Sequence, residues 1–495
     1  MPLAFIATRG QAGLSAPSVT AEIHLTAGLP GFQIVGLSDS AAREIRGRVR
    51  SAIVSSHLKW PDYQITVNLA PAECAKVGAR FDLPIALGLL VASEQLPKEH
   101  VAGREFFGEL SLDGGIRGCS GLLSAVLAAT EAGNACGVAE AVAMELATIP
   151  SSQILGAPDL LSLCGLLKRA HPALTQPAKA PPHAHETHPD LGALRGQPLL
   201  RWALELAAAG GHHLLMSGPP GVGKTLAAAC LPGLLPPLSQ EQITENWLIQ
   251  DMAGAPRQSH RPFRAPHHSC SVAALMGGTA KALPGEVSMA HSGVLFLDEL
   301  TEFPRGLLNQ LREPLESGEI VVARAAHLHR YPARFQLVAA MNPCPCGYAG
   351  STDTPCRCSP DSIRRYRHGV SGPLMDRIDV HIALQTPSSQ HLLAERSHTA
   401  LSESVRARVI AARDAQLARQ GCLNRDIESE GILETCRLNK SVKSWLLGAI
   451  EHLNLSARNV HRRLRVARTI ADLQGDVAVS REHLETALSL REVPA

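Results

Sequence analysis

The stretch HHLLMSGPPGVGKTLAAAC, His212 to Cys230, decides the fold class. Gly218 to Thr225 fits G-x-x-x-x-G-K-[ST], the phosphate-loop pattern. The apolar run Leu214–Met216 before it reads as a strand, and Leu226–Cys230 after it continues as a helix. That context is what the motif needs. Gly218, Pro219, Pro220, Gly221, Val222 and Gly223 form a cradle in which the backbone N–H groups of its non-proline residues curl around phosphate oxygens, and the helix N-terminus adds a favourable dipole. Lys224 then reaches the β- and γ-phosphates, and Thr225 holds Mg²⁺. An α/β fold with ATP and Mg²⁺ as cofactors follows.

Working outward, GVLFLDEL (Gly293–Leu300) is a buried strand ending in two acids. Asp298 suits the Mg²⁺-holding position and Glu299 suits polarisation of an attacking water. Adjacent acids at the end of a buried strand are costly without such a role, so the pair points to hydrolysis and not mere binding. The next strand, RFQLVAAMN, ends in Asn342, placed to orient the water near the γ-phosphate. In SGPLMDRIDV, Arg377 lies between two acids. It fits either an arginine finger reaching a neighbouring subunit's site or a local ion pair with Asp376 or Asp379. Arg458, in LSARNV, fits a second phosphate sensor on a helical lid or a surface arginine.

MNPCPCGYAGSTDTPCRCSP, Met341 to Pro360, carries Cys344, Cys346, Cys356 and Cys358 as two Cys-x-Cys pairs. Four thiolates suit tetrahedral zinc, although Cys-x-Cys is tighter than the usual two-residue spacer. Reduced thiols and a redox switch are the other readings. No helix with histidine ligands accompanies the cysteines, which disfavours a stand-alone nucleic-acid finger. A Cys₄ staple between Asn342 and Arg377 fits better.

Bulk composition bounds the rest. A chain of 495 residues is expected to hold two to four domains. With 47 basic against 45 acidic residues, polyanion binding must come from local patches. Aromatics are 3% of the chain, which argues against a base-stacking platform. The chain shows no 18-residue apolar run and no signal-peptide pattern at its start, so a cytoplasmic location without membrane contact is expected. Twelve cysteines in that setting are reduced thiols or metal ligands.

Residues 1–168 alternate strand and helix signals. Ala21–Leu25 and Gln64–Leu69 alternate with period two, and Ser40–Leu58 puts Ile45, Val49, Ala52 and Ile53 on one helical face. Arg43, Arg46, Arg48 and Arg50 decorate that helix, as a solvated face or a nucleic-acid contact. Residues 169–190, rich in Pro, Ala and His, read as a linker. Residues 191–385 form the nucleotide-binding core, and 386–495 read as helical, with Ser456–Leu473 a basic amphipathic helix.

The motif order resembles the ComM/YifB family of Mg-chelatase-like AAA+ ATPases. FRAPHHS (Phe263–Ser269), PGEVSMAHSGVLFLDEL (Pro284–Leu300), LREPLESGEI (Leu311–Ile320), ARFQLVAAMNPCPCG (Ala333–Gly347) and SGPLMDRIDVHI (Ser371–Ile382) carry the likeness. GLPGFQIVGL (Gly28–Leu37), ARFDLPIALG (Ala79–Gly88) and SARNVHRRLRVARTIADL extend it over nearly all the chain outside the linker. The resemblance implies an N-terminal α+β domain like that of Lon proteases (the ribosomal S5 domain 2 fold), an AAA+ core with a parallel sheet and a C-terminal helical lid. It also implies a homo-hexameric ring and ATP-driven DNA unwinding and branch migration, integrating single strands in natural transformation alongside recombination proteins. Active Lon domains use a Ser–Lys dyad. Arg80 stands at about the Ser position and Leu123 at about the Lys position, and no lysine occurs between Lys98 and Lys168, so peptidase activity is not expected. Two segments resemble pore insertions of related motors, LMGGTAKALPGE with Lys281 and VVARAAHLHRYPA with Arg324. They fit either ordinary surface hairpins or DNA-backbone contacts made through Lys281 or Arg324. A chelatase-like motor is the alternative.

Overall fold

The computed structural model describes residues 3–72, 78–147, 149, 152–169, 174–175, 188–278, 282–324, 327–350, 354–386 and 401–490. Two compact units emerge, and neither is one continuous stretch. The first comprises Met1–Ala184, Trp247–Gln258 and Ala323–Tyr331; the second comprises His185–Asn246, Ser259–Val322 and Pro332–Ala495.

In the first unit the strands are β1 (Leu3–Arg9), β2 (Ser18–Thr26), β3 (Gly31–Val35), β4 (Gln64–Ala70), β5 (Arg104–Phe106), β6 (Glu109–Leu110), β7 (Ile116–Arg117), β8 (Ala135–Ala139) and β9 (Ile154–Ala157). Seven of these make one mixed sheet in the order β3-β4-β2-β1-β5-β8-β9, antiparallel across β1, β2 and β4 and parallel on both flanks. Alternating burial along β1, β2 and β4 leaves one face for the core. The helix Asp82–Ala92 is almost wholly buried against that face. The helix Asp39–Ser55 buries Ile45, Val49, Ala52 and Ile53, and Ser38 caps its start through Ala41 N–H. Two of its arginines are used internally. Arg48 Nε donates to Asp82 at 2.6 Å, and the Arg50 guanidinium lies 5.9 Å from the centroid of the Trp60 ring.

Trp247–Gln258 belongs to this unit for a visible reason. Trp247 and Leu248 pack on the cluster that contains Phe107, Leu122, Val126 and Val138. Asp251 Oδ2 accepts from Leu123 N–H at 3.1 Å, which satisfies a donor in the first turn of the helix Leu122–Glu131. That helix starts at Gly121, which offers no side-chain cap. Arg80 is buried and donates to Gly10 O at 3.0 Å, Gln11 Oε1 at 2.6 Å and Ser120 O at 2.5 Å. Leu123 is buried as well.

Further along the chain β10 (Leu214–Ser217), β11 (Phe263–Arg264), β12 (Val294–Leu297), β13 (Glu319–Arg324), β14 (His327–Pro332), β15 (Gln336–Met341) and β16 (Val380–Ala383) follow in order, all in the second unit except the end of β13 and most of β14. β13 and β14 form a two-stranded sheet, of which Ala323–Tyr331 is assigned to the first unit. The others form a wholly parallel sheet in the order β11-β12-β15-β10-β16. β10, β12 and β15 are buried at every position, as a parallel sheet covered on both faces requires. The helices Pro198–Gly210, Leu401–Gln420 and Ala457–Gln474 share one apolar core with this sheet, so the C-terminal helical region is part of the same compact unit.

The basic helix Ala457–Gln474 is not simply solvated on its charged side. Arg462, Arg463 and Arg468 are buried. Arg463 Nη2 donates to Asp379 O at 2.7 Å, and Arg468 pairs with Asp472 at 2.9 Å. Arg463 finds its acceptors in distant segments, which a helical pattern alone does not reveal, whereas Asp472 stands one turn beyond Arg468 on the same helix. Among the described residues no helix is long and apolar enough to cross a membrane.

Candidate active site

Because the sheet is parallel, all its strands end at the same edge. There β10 passes into Gly218–Gly223 and then into the helix Lys224–Leu234. Gly223 has φ +94°, a left-handed turn open to glycine, and it aims the loop into the helix start. Lys224 Nζ donates to Gly218 O at 2.5 Å, Pro219 O at 3.1 Å and Asn342 Oδ1 at 3.0 Å. Burial pushes its pKa down while Asp298 and Glu299 oppose that shift. Thr225 Oγ1 donates to Asp298 Oδ2 at 2.8 Å, and Asp298 Oδ1 accepts from Glu299 N–H at 2.9 Å.

Thus Lys224, Thr225, Asp298, Glu299 and Asn342, drawn from three strand ends, meet at one edge. The hydroxyl and carboxylate of Thr225 and Asp298 are an oxygen donor set that fits Mg²⁺. Glu299 has φ +52° and ψ +50°, a backbone setting that costs a non-glycine residue roughly 1–2 kcal/mol. Its carboxylate lies 3.5 Å from His268 Nδ1. His268 escaped the sequence reading. Its signal was the His-His pair just after β11, the neighbour of β12.

The cysteine loop leans on this edge. The Sγ atoms of Cys344, Cys346, Cys356 and Cys358 all lie within 4.8 Å of one another. Three of the separations are 3.3, 3.5 and 3.6 Å. A tetrahedron of sulfurs around zinc has edges of about 3.8 Å, so the four thiols fit that ion. Hydrogen bonds from the Arg357 and Tyr348 N–H groups draw the Cys346 thiol down to about 6. Gly347, at φ +85°, brings its Cα so near the phosphate loop that a Cβ there would sit 2.7 Å from Pro220 Cδ. Arg367 Nε holds the other side of the loop through Pro343 O at 3.3 Å.

Three family models match the chain: "Magnesium chelatase, subunit ChlI" over residues 190–392, "Subunit ChlI of Mg-chelatase" over 21–140 and "Magnesium chelatase, subunit ChlI C-terminal" over 399–491. The chain is 44% identical to the uncharacterized protein YifB of Salmonella typhimurium over 498 residues, covering 100% of this chain and 98% of that one. It is 43% identical to the competence protein ComM of Haemophilus influenzae over 501 residues, 99% of this chain and 98% of that one. The chain belongs to the ComM/YifB family of Mg-chelatase-like AAA+ ATPases. The 67 kDa magnesium-chelatase subunit of Heliobacterium mobile is 28% identical over 226 residues, 39% of this chain and 30% of that one.

Within this AAA+ unit the two arginines singled out by sequence lie elsewhere. His213, Phe335 and Asp379 precede β10, β15 and β16, so they mark the opposite, N-terminal edge of the sheet. A cavity of about 570 Å³ opens there, and Arg377 and Arg458 both line it. Strands of four residues separate the two edges by about 13 Å. Arg377 pairs with Glu316, not with Asp376 or Asp379, and Arg458 Nη2 donates to the same carboxylate at 2.9 Å. Arg458 is therefore gathered with Arg377 and not with Lys224. Lys281 lies outside the described residues. Arg324 ends β13, and its side chain is likewise outside them.

Proposed function

We propose that the chain is an ATP-hydrolysing motor that acts on DNA as a homo-hexameric ring, with DNA unwinding and branch migration as its work. The carrying observation is the division of chemistry between the two edges of one sheet. The hydrolytic groups gather at one edge and the arginine pair at the other, as a ring needs when each subunit completes its neighbour's site. In this reading Glu299 takes the proton of the attacking water and Asn342 orients that water. Lys224 neutralises charge on the β- and γ-phosphates. Arg377 and Arg458 meet the transition-state charge of the adjoining subunit, a contribution of roughly 10³–10⁵ in turnover for such fingers. Thr225 and Asp298 would hold Mg²⁺, which would supply positive charge against the charge developing on the phosphates. Cys344, Cys346, Cys356 and Cys358 would hold zinc, which would cross-link the loop that follows Asn342 and passes close to Pro220.

Likeness to a protein named for competence supports single-strand integration in natural transformation or homologous recombination, alongside recombination proteins, in the cytoplasm. Lys281 and Arg324 are assigned to the DNA backbone. The partial likeness to a magnesium-chelatase subunit favours a second reading, a motor that remodels a protein or metal-insertion partner. Purified protein with ATP and a labelled fork or four-way junction separates them. Strand displacement that disappears in Lys224→Ala supports the DNA motor, and ATPase indifferent to every DNA supports the second reading.

A further inference from the structure

The cavity at the N-terminal edge is lined by Arg334, Arg377, Arg425, Arg458, Arg462 and Arg465 against four carboxylates. Several of these cations are already committed. Arg425 donates to Gly211 O and Phe335 O, and Arg465 to Ile427 O. Others retain donors. Arg462 Nη2 and Arg377 Nε have no hydrogen-bond partner among the described residues, although each side chain is 8% exposed. The nearest carboxylates to Arg462, Asp376 and Asp379, stand off at 3.9 Å. Unsatisfied guanidinium donors on residues that line a cavity are the chemistry of an anion site.

Glu316 sits at the mouth of that chemistry. Arg377 and Arg458 converge on a single one of its oxygens, Oε1, although they come from segments far apart in sequence. Guanidiniums bind carboxylate and phosphate oxygens with the same charge-assisted hydrogen bonds, so the oxygen that both arginines hold occupies a position suited to a phosphoryl oxygen. The Glu316 side chain is 53% exposed, on the last turn of the short helix Arg312–Ser317, so it has room to swing out.

We propose that Glu316 is a built-in placeholder for a phosphoryl group of a nucleotide carried by a second copy of the chain. It holds Arg377 and Arg458 in their receiving geometry and yields to the phosphate, for which Arg462 is a third donor. This rests on the ring reading above, and it adds a competitor and a donor to that reading. Removal of the competing carboxylate therefore tightens anion binding at this edge, whereas loss of any donor weakens it.

The test uses the full chain in a Lys224→Ala background, which disables its own phosphate loop, titrated calorimetrically with tripolyphosphate. Adding Glu316→Gln should tighten binding about 3- to 10-fold, the range for displacing a half-exposed charged partner. Adding Arg377→Ala or Arg462→Ala should weaken it by at least as much. The gain from Glu316→Gln should vanish when Arg377 and Arg458 are both alanine. Unchanged or weaker binding in Glu316→Gln overturns the proposal. So does a gain that survives without the two arginines, because charge removal alone would then explain it. Sedimentation velocity of the wild-type chain with ATP tests the ring separately. If the chain stays monomeric while the calorimetric pattern holds, the ring reading falls and the anion site with its glutamate placeholder stands.

Discussion

Gly347→Ala isolates the grip of the cysteine loop on the phosphate loop. The alanine Cβ would lie 2.7 Å from Pro220 Cδ and 3.0 Å from Pro220 Cγ, and a proline ring cannot rotate away. Ordinary contact begins near 3.4 Å, so one loop must move by about 0.7 Å. The backbone φ of +85° adds roughly 1–2 kcal/mol for any L side chain. Misplacement of about 1 Å in a site that positions phosphates costs up to ~10²-fold in rate. We therefore expect kcat/KM for ATP to fall about 10- to 100-fold in Gly347→Ala, measured by steady-state phosphate release. Gly350→Ala is the matched control. Gly350 has φ +78°, in the same loop, and a Cβ there meets no described atom within 4 Å. That variant should lose about 1–2 kcal/mol of stability with near-normal ATPase. Equal kinetic losses in the two variants would refute the contact as the cause and leave only backbone strain.

Glu299→Gln should retain ATP binding while turnover drops by ~10²–10⁴-fold, the usual worth of a general base, and undiminished phosphate release would remove Glu299 from that role. Acid should destabilise the second unit from below pH 6.5. Burial drives the His213 pKa to about 3, so the fold refuses a proton that the unfolded chain accepts below 6.5. Stability is then lost as pH falls from 6.5 toward 3, by about 2 kcal/mol at pH 5, and a urea midpoint unchanged between pH 7 and 5 would contradict this. Elemental analysis of reduced, chelator-free protein should find about one zinc per chain, and chelation should raise the KM for ATP; absence of stoichiometric zinc defeats the staple. Casein with ATP should remain uncut, because Arg80 is fixed by three oxygen acceptors and Leu123 is apolar and buried. ATP-stimulated cleavage would overturn that.

What could be read from sequence was what a few adjacent residues determine. The phosphate loop, the Asp298–Glu299 strand end and the Asn342 strand end each carry their chemistry within one strand and its exit. The parallel sheet then had to bring them to one edge. The helix Asp39–Ser55 was legible because its four buried residues repeat at helical spacing. Arg458 was not legible as a partner of Arg377, since only the packing of the helix Ala457–Gln474 against the sheet brings both onto Glu316. The burial of Arg462, Arg463 and Arg468 was hidden for the same reason. The acceptors of Arg463 and the carboxylates near Arg462 lie far along the chain, so only the Arg468–Asp472 pair is visible within the helix, which otherwise reads as a charged surface. Trp247 and Asp251 gave no local sign that they complete the first unit.

That last feature bears on how the protein is made. The first 184 residues leave the ribosome without Trp247, Leu248 and Asp251, and without Ala323–Tyr331. At bacterial-scale synthesis rates the missing pieces arrive about 7–30 s later. During that interval the seat of Trp247 is bare and the helix Leu122–Glu131 lacks the carboxylate that receives its Leu123 N–H. The nascent N-terminal segment therefore exposes apolar surface until the later segments arrive, and an exchange at residue 184 would separate it from residues that pack on it.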